Sequence, residues 1–232
     1  MSDNKGFSLG GYQGFELPAE VSASCLAYLF ADRFVRPMSR SGRLFGELAL
    51  VTPTSGTLVQ IVDVQLHCLT TALWSLLHHG LITISEKAPS ASNLLGRIGE
   101  HELLLERVGE GEDLVGLEGQ VLSALPGGPV VARELLYLDA FDIVPVDALL
   151  VPVQEEAVVA GVVVLPEREG RVPQSLSWSV HARYEIREMA RRSLEAQFRC
   201  ADEAGLFVRD QPQLFKRVRK ECALPFKRIR GL

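Results

Sequence analysis

Residues 47–85 read ELALVT, PTSG, TLVQIVD, VQLHCLTTALWSLLHHG and LITIS. The order of residue types predicts strand, turn, strand, helix, strand. Pro53 suits the first central position of a turn and Gly56 its close, so the two β-branched runs around them form a hairpin. Asp63 is placed as the N-cap of the helix, its carboxylate accepting from the amides of the first turn. Leu66, Leu69, Leu73, Leu76 and Leu77 recur at three and four and mark one buried face. His78 and His79 fall in the last turn, and Gly80 is placed to adopt the left-handed conformation just beyond it. Leu81, Ile82, Thr83 and Ile84 then open a strand. A helix handing over through glycine to a short strand is also how a winged helix leads into its wing.

The same stretch resembles the opening of the Golgi phosphoprotein three-like domain. That family begins with a leucine-rich run, a turn of the form x-x-x-G-x-L and a helix rich in Ala and Leu. Its helix ends in a pattern like ELALRGRI, against SLLHHGLI at residues 75–82 here. The resemblance implies a fold and no lipid site. Eukaryotic members use an arginine early in this helix for a phosphoinositide headgroup, where this chain has Leu69, and a tryptophan just before it, where this chain has Val59 and Gln60.

Working outward, 47% apolar and 23% charged residues over 232 positions are the values of a globular protein, not a disordered or fibrous one. Cys25, Cys68, Cys200 and Cys222 form no CxxC pair, and the first two lie in apolar patterns, so all four are expected to be free thiols in a reducing, cytoplasmic setting. The opening MSDNKGFSLGGYQGF carries one lysine and no apolar run, so no signal peptide is expected. Charged residues interrupt every apolar stretch, so no membrane span is expected.

Upstream of the central stretch, Pro18 is expected to open a helix that runs to about Arg36 and stops at Pro37. Downstream, residues 94–111 read as strand, helix or the return strand of a wing. Asp113 is expected to cap a helix through Leu125, with Leu114, Leu117, Val121 and Leu122 in register. PGGP at 126–129 breaks the chain, and Pro129 is expected to open a further helix to about Phe141. Residues 155–165 (EEAVVAGVVVL) fit a buried helix or a strand. Residues 178–204 are the longest helical candidate, ended by Gly205. The expected fold is α+β: a mostly helical domain over 17–165 with a small hairpin or winged-helix-like sheet, then a long helix and a basic C-terminal tail within 176–232.

Charge is divided along the chain. Residues 176–232 hold 13 Lys and Arg against 7 Asp and Glu, +6, while residues 1–175 hold 11 against 22, −11. The tail repeats itself, LFKRVR at 214–219 and PFKRIR at 225–230, and concentrates Lys216, Arg217, Arg219, Lys220, Lys227, Arg228 and Arg230. These seven are the candidate binding residues for an anionic partner, and docking on the acidic body is the competing reading.

Catalytic chemistry has little footing. There is no G-x-S-x-G, P-loop or G-x-G-x-x-G. Glu110, Glu112, Asp113, Asp139, Asp142 and Asp147 are unpaired in the sequence, and GEGED at 109–113 lacks the spacing of a calcium loop. His67, Cys68, His78 and His79 invite a metal, yet adjacent histidines on a helix diverge, and capping or surface positions suit them better. No cofactor is expected. The central helix has no Lys or Arg, which argues against its lying in a DNA groove. The expected function is a non-enzymatic cytoplasmic adaptor or scaffold acting through contacts with another protein or itself. Alternatives are a peripheral binder of anionic membrane surfaces through the tail and a nucleic-acid-associated, winged-helix-like regulator.

Overall fold

The computed structural model describes residues 20–38, 49–87, 102–111, 114–138, 149–164, 185–207 and 213–229, the last five of these by backbone alone. The fold is α+β. The hairpin forms as its sequence directs: β1 (Ala49–Val51) pairs antiparallel with β2 (Leu58–Gln60), and Pro37 bridges to Val59 on the other side. Thr52 closes the turn, its N–H donating to Thr57 O and its O accepting from Gly56 N–H, both at 2.9 Å.

Helix α2 (Ile61–His78) follows β2 without a break. It therefore begins before Asp63, which sits in the first turn while Gln60 occupies the cap position, its side chain not bonded to the first-turn amides. The carboxylate still complements the helix dipole there. The helix ends as read: Leu81 N–H donates to Leu76 O and Gly80 N–H to Leu77 O, with Gly80 at φ +67°. This pairing satisfies the last carbonyls and needs a residue free to take positive φ. The expected single buried stripe is too narrow. Gln65, His67, Thr70, Thr71 and Ser75 are buried with the leucines, because α2 is the axis around which the other elements pack.

Helix α1 (Ala23–Leu29) is shorter than the expected 18–36 helix and is followed by a 3-10 turn at Ala31–Arg33. Ser22 starts it late, accepting from Cys25 N–H on its hydroxyl. All seven residues of α1 are buried, and its C-terminal carbonyl at Leu29 accepts from the Thr54 hydroxyl at 2.7 Å.

Among the readings left open at 94–111, the return strand is realised. β3 (Ile82–Lys87) and β4 (Glu102–Arg107) pair antiparallel from Ile82↔Arg107 to Lys87↔Glu102. The helix expected from Pro129 does not form over its first residues. Val130 and Val131, β-branched and next to an exposed sheet edge, instead become β5 against Leu104 and Leu105, and a 3-10 segment (Ala132–Tyr137) follows. Helix α3 (Gly116–Ala124) starts after Asp113, which lies outside the described residues, and Val115 takes the cap position. Residues 155–165 contain both of their readings: α4 (Val151–Val159), then β6 (Val163–Val164), paired with β7 (Glu185–Ile186). That pairing, extended by Arg187 N–H donating to Val162 O, delays α5 to Glu188–Glu203, ten residues after the expected start at 178.

Residues 213–229 form a helix, α6 (Gln213–Ile229). It packs on α2 and on the 3-10 segment 132–137, burying Phe215, Val218 and Cys222 at spacings of three and four. Phe215 meets Trp74 edge to face at 5.6 Å. Phe30, Phe34, Phe198 and Phe207 join α1 to α5, with the Arg33 guanidinium 4.5 Å from the Phe198 ring centre. Both α5 and α6 thus contribute to the same apolar cluster as α1 and α2. Among the described residues no helix is long and apolar enough to cross a membrane.

Leu73 is fully buried at the middle of α2. Leu73→Ala is expected to lower unfolding free energy by about 2–5 kcal/mol through the cavity it leaves. Urea denaturation measures this; an unchanged midpoint would place Leu73 outside the core.

Candidate functional site

Of the seven basic residues read from the sequence, Lys216, Arg217, Arg219 and Lys220 have described side chains. Arg217 makes an ion pair with Glu86 of β3. Arg219 is half-buried near Asp63, which lifts its pKa while burial, the larger effect, lowers it. Lys216 and Lys220 are exposed one turn apart. Lys227 and Arg228 lie on the last turns of α6, where only backbone is described, and Arg230 lies outside the described residues.

His67, His78 and His79 do not converge. The rings of the last two meet edge to face at 5.5 Å, and His79 Nδ1 is 2.7 Å from Ser75 O. His67 is buried against Phe34, with ring centres 4.3 Å apart, and neither ring nitrogen has a hydrogen-bond partner among the described residues. Burial, aided by the Arg219 charge, lowers its pKa from 6.5 to about 3, so the ring is neutral. No group of three potential metal ligands comes together among the described residues.

The polar centre lies elsewhere, at the start of α1. Ser22 N–H donates to Glu156 Oε1 at 2.5 Å and the Ser22 hydroxyl to Glu156 Oε2 at 2.8 Å. Ser24 N–H donates to Glu118 Oε1 at 2.9 Å and its hydroxyl to Glu118 Oε2 at 2.5 Å. Two carboxyl groups, from α3 and α4, thereby accept from amides at the start of α1 that have no partner within the helix. Gly116 makes room for them: it stands at φ +64°, and a Cβ there would collide with the Glu156 carboxylate. Desolvation raises the pKa of both glutamates, the serine hydrogen bonds opposing it, and the Glu118 charge pushes Glu156 further up. Burial and then the two glutamates push the Cys25 thiol up as well.

Glu118 forms part of the inner wall of a cleft of about 710 Å³ between the start of α1, the end of α2, the residues leading into α3 and the end of α5. Its walls are mainly apolar, with Leu26, Leu76, Leu81 and Leu206 among them, and Ser22, Ser75, His79 and Gln197 add polar points. Leu114 and Val115 form an exposed apolar lip, and Cys200 stands exposed in the α5 wall. A concave apolar site with a few convergent polar groups is the usual form of a binding pocket.

Of the carboxylates singled out from the sequence, Glu110 is exposed and outside this centre, and Glu112, Asp113, Asp139, Asp142 and Asp147 lie outside the described residues. The missed signal is positional. Glu118 falls in register with Val121, Leu122 and Leu125, and Glu156 with Val153, all buried. A glutamate inside an apolar stripe signals a buried, partnered carboxyl.

Two pH effects of opposite sign follow. The raised glutamates bind a proton more tightly in the folded chain, so they are harmless below the ordinary carboxylate range and lower stability as pH rises through their folded values. His67, with its pKa lowered, contributes stability present above 6.5 and lost as pH falls towards 3. Glu118→Gln is expected to reduce the alkaline decline, and His67→Phe to flatten the acid limb, whose slope approaches about 1.4 kcal/mol per pH unit for one proton. Urea midpoints from pH 4 to 8 measure both; parallel curves for variants and parent would refute the assignment.

The thiols differ as sharply. Burial raises Cys68 strongly and pushes Cys222 up to about 12. In native protein a thiol reagent is expected to modify Cys200 promptly and the other three only on unfolding, as counted by intact mass. Fast labelling of Cys68 would contradict the packing around α2.

Comparison of the chain with protein-family models, with curated proteins and with solved structures finds no match, so its resemblance to the Golgi phosphoprotein three-like domain rests on residues 47–85 alone.

Proposed function

We propose that the protein is a non-enzymatic adaptor or scaffold that holds a partner protein, or a second copy of itself, in the cleft between α1, α2 and α5. The observation that carries this reading is the cleft with its exposed apolar lip, Leu114 and Val115. The glutamates beside it are bound to Ser22 and Ser24 and hold α1 in place, which suits a structural duty better than acid–base chemistry. A cytoplasmic setting accords with four unpaired cysteines. The absence of Lys and Arg from α2 weighs against nucleic acid as the partner.

Attachment to an anionic membrane surface is the second reading, favoured by exposed Lys216 and Lys220 on α6. Against it, Phe215 is engaged with Trp74 and Arg217 with Glu86, so one aromatic and one cation of the repeated LFKRVR–PFKRIR stretch already have contacts inside the chain.

Val115→Asp, at an exposed position, is expected to keep the melting temperature and abolish a stoichiometric partner recovered by the intact chain in quantitative pull-down. Retention of that partner by the variant would refute the cleft as the contact. Phe215→Ala is expected to lose about 3–5 kcal/mol of stability with no change in retention on anionic vesicles. Loss of vesicle retention with stability intact would favour the membrane reading instead.

A further inference from the structure

At the start of α1 the buried serines and glutamates satisfy one another. Beneath α6 the buried polar groups of α2 are left without partners. His67 and Thr71 are both buried, and neither ring nitrogen of the one nor the hydroxyl of the other has a hydrogen-bond partner among the described residues. A spacing of four puts the two on one side of α2, and their neighbours place that side under α6. Arg219 of α6 acts electrostatically on His67, and Trp74, three residues after Thr71, meets Phe215 of α6 edge to face. The α6 side of the contact is mixed as well: Phe215, Val218 and Cys222 bury apolar surface, while Arg219 is half-buried and Glu221 is buried on the same helix. Docking α6 therefore strips water from an imidazole and a hydroxyl and returns a hydrogen bond to neither. Its attachment runs chiefly through α2 and the 3-10 segment 132–137, and the Arg217–Glu86 ion pair reaches β3. The aromatic cluster of Phe30, Phe198 and Phe207, which ties α1 to α5, contains no residue of α6.

We propose that α6 is a releasable helix, a latch that leaves α2 as a unit while the other helices stay packed, and that acid drives its release. Release returns His67 and Thr71 to water. It also frees Phe215, Val218 and Cys222 together with Arg217 and Arg219, so that a basic amphipathic helix is displayed instead of packed away. The acid dependence is a matter of linkage. In the docked form the His67 pKa is lowered from 6.5 to about 3, first by burial and then by the Arg219 charge. In the released form the ring regains water and its ordinary value. A proton therefore binds the released form more tightly. The docked form is favoured above 6.5 and loses up to about tenfold per pH unit as pH falls from there towards 3. The charged groups on the elements around His67 are Arg219 and Glu221 of α6, Asp63 of α2, Asp32 and Arg33 of the 3-10 turn before Phe34, and Asp202 of α5; of these Arg219 alone adds to the effect of burial. Thr71 does not titrate and biases the helix towards release at every pH. At neutral pH the docked form prevails and Cys222 stays shielded. The latch stands independently of the cleft, whose walls contain no residue of α6 among the described residues.

The test is amide hydrogen exchange of the full chain, read by mass spectrometry, with protection corrected for the chemical exchange rate at each pH. Peptides within 213–224 are expected to be at least about tenfold less protected than those from the middle of α2. Their protection should fall about twentyfold between pH 7 and pH 5. Low concentrations of urea should speed exchange in α2 steeply and in α6 only slightly, because release exposes far less surface than global unfolding. His67→Phe should abolish the fall in α6 protection between the two pH values. Should that variant fail to fold, Thr71→Val, which keeps the volume and removes the unpartnered hydroxyl, should raise α6 protection several-fold at both. Equal protection of α6 and α2 at every urea concentration would make release and global unfolding one event and overturn the inference. So would α6 protection that does not fall between pH 7 and pH 5, the same fall in His67→Phe, or unchanged α6 protection in Thr71→Val.

Discussion

A buried helix of seven residues has more unsatisfied ends than middle, and that constraint shapes this protein. The first amides and last carbonyls of α1 have no partner within the helix, and an orphaned buried backbone group costs about as much as a lost hydrogen bond. The Ser22 cap is local, and the other solutions are tertiary. Ser22 caps from within the chain, Glu118 and Glu156 arrive from α3 and α4, and Thr54 reaches back from the β1–β2 turn to the carbonyl of Leu29. Elements distant in sequence are therefore held in place by the demands of one short helix. Gly116 is part of the same solution, since the Glu156 carboxylate occupies the space where a side chain would stand.

The second organising element, α2, solves a different problem. A helix surrounded on all sides must bury its polar residues too, and it does so unevenly. The Thr70 hydroxyl donates back to Leu66 O at 2.8 Å, a local answer that needs no partner from another element. Trp74 stands at the edge of the packing and sends its indole N–H to Gly205 O at 3.1 Å, tying α2 to the end of α5. His67 is the costly case: a ring with two polar nitrogens placed against Phe34, held neutral by its surroundings. The favourable packing of the aromatic cluster has to offset that desolvation, which makes this region the acid-sensitive part of the core.

These physical differences explain what was legible in the sequence. The hairpin, α2, Gly80 and the strand after it depend on neighbours within a few residues, and turn chemistry, leucine spacing and a helix-ending glycine located them. The α+β class followed from the same signals. Residues 130–131 and 185–186 were read as helix or its approach because their own spacing says nothing of the strand edge waiting at Leu104 or Val163; pairing partners decided their conformation. The C-terminal basic stretch was conspicuous by charge, yet its packing is governed by Phe215, Val218 and Cys222, three small signals among seven loud ones. Glu118 and Glu156 were overlooked for the opposite reason. An acidic cluster is conspicuous in a sequence, whereas Glu118 and Glu156 lie on buried helix faces, Glu156 directly after the exposed Glu155.

Charge distribution links the architecture to recognition. The basic C-terminal helix lies against α2 and β3, spending Arg217 on Glu86 and placing Arg219 near Asp63, so part of the positive excess at that end neutralises the acidic body. The cleft is built on the other side of α2's last turns, where no such cation arrives among the described residues. Exposed cationic side chains thus stand on α6, while the charged residues along the cleft, Glu20 and Glu118, are acidic. In the proposed adaptor, contacts through such surfaces would orient a partner before apolar burial holds it, with charge selecting and the leucine-lined walls retaining.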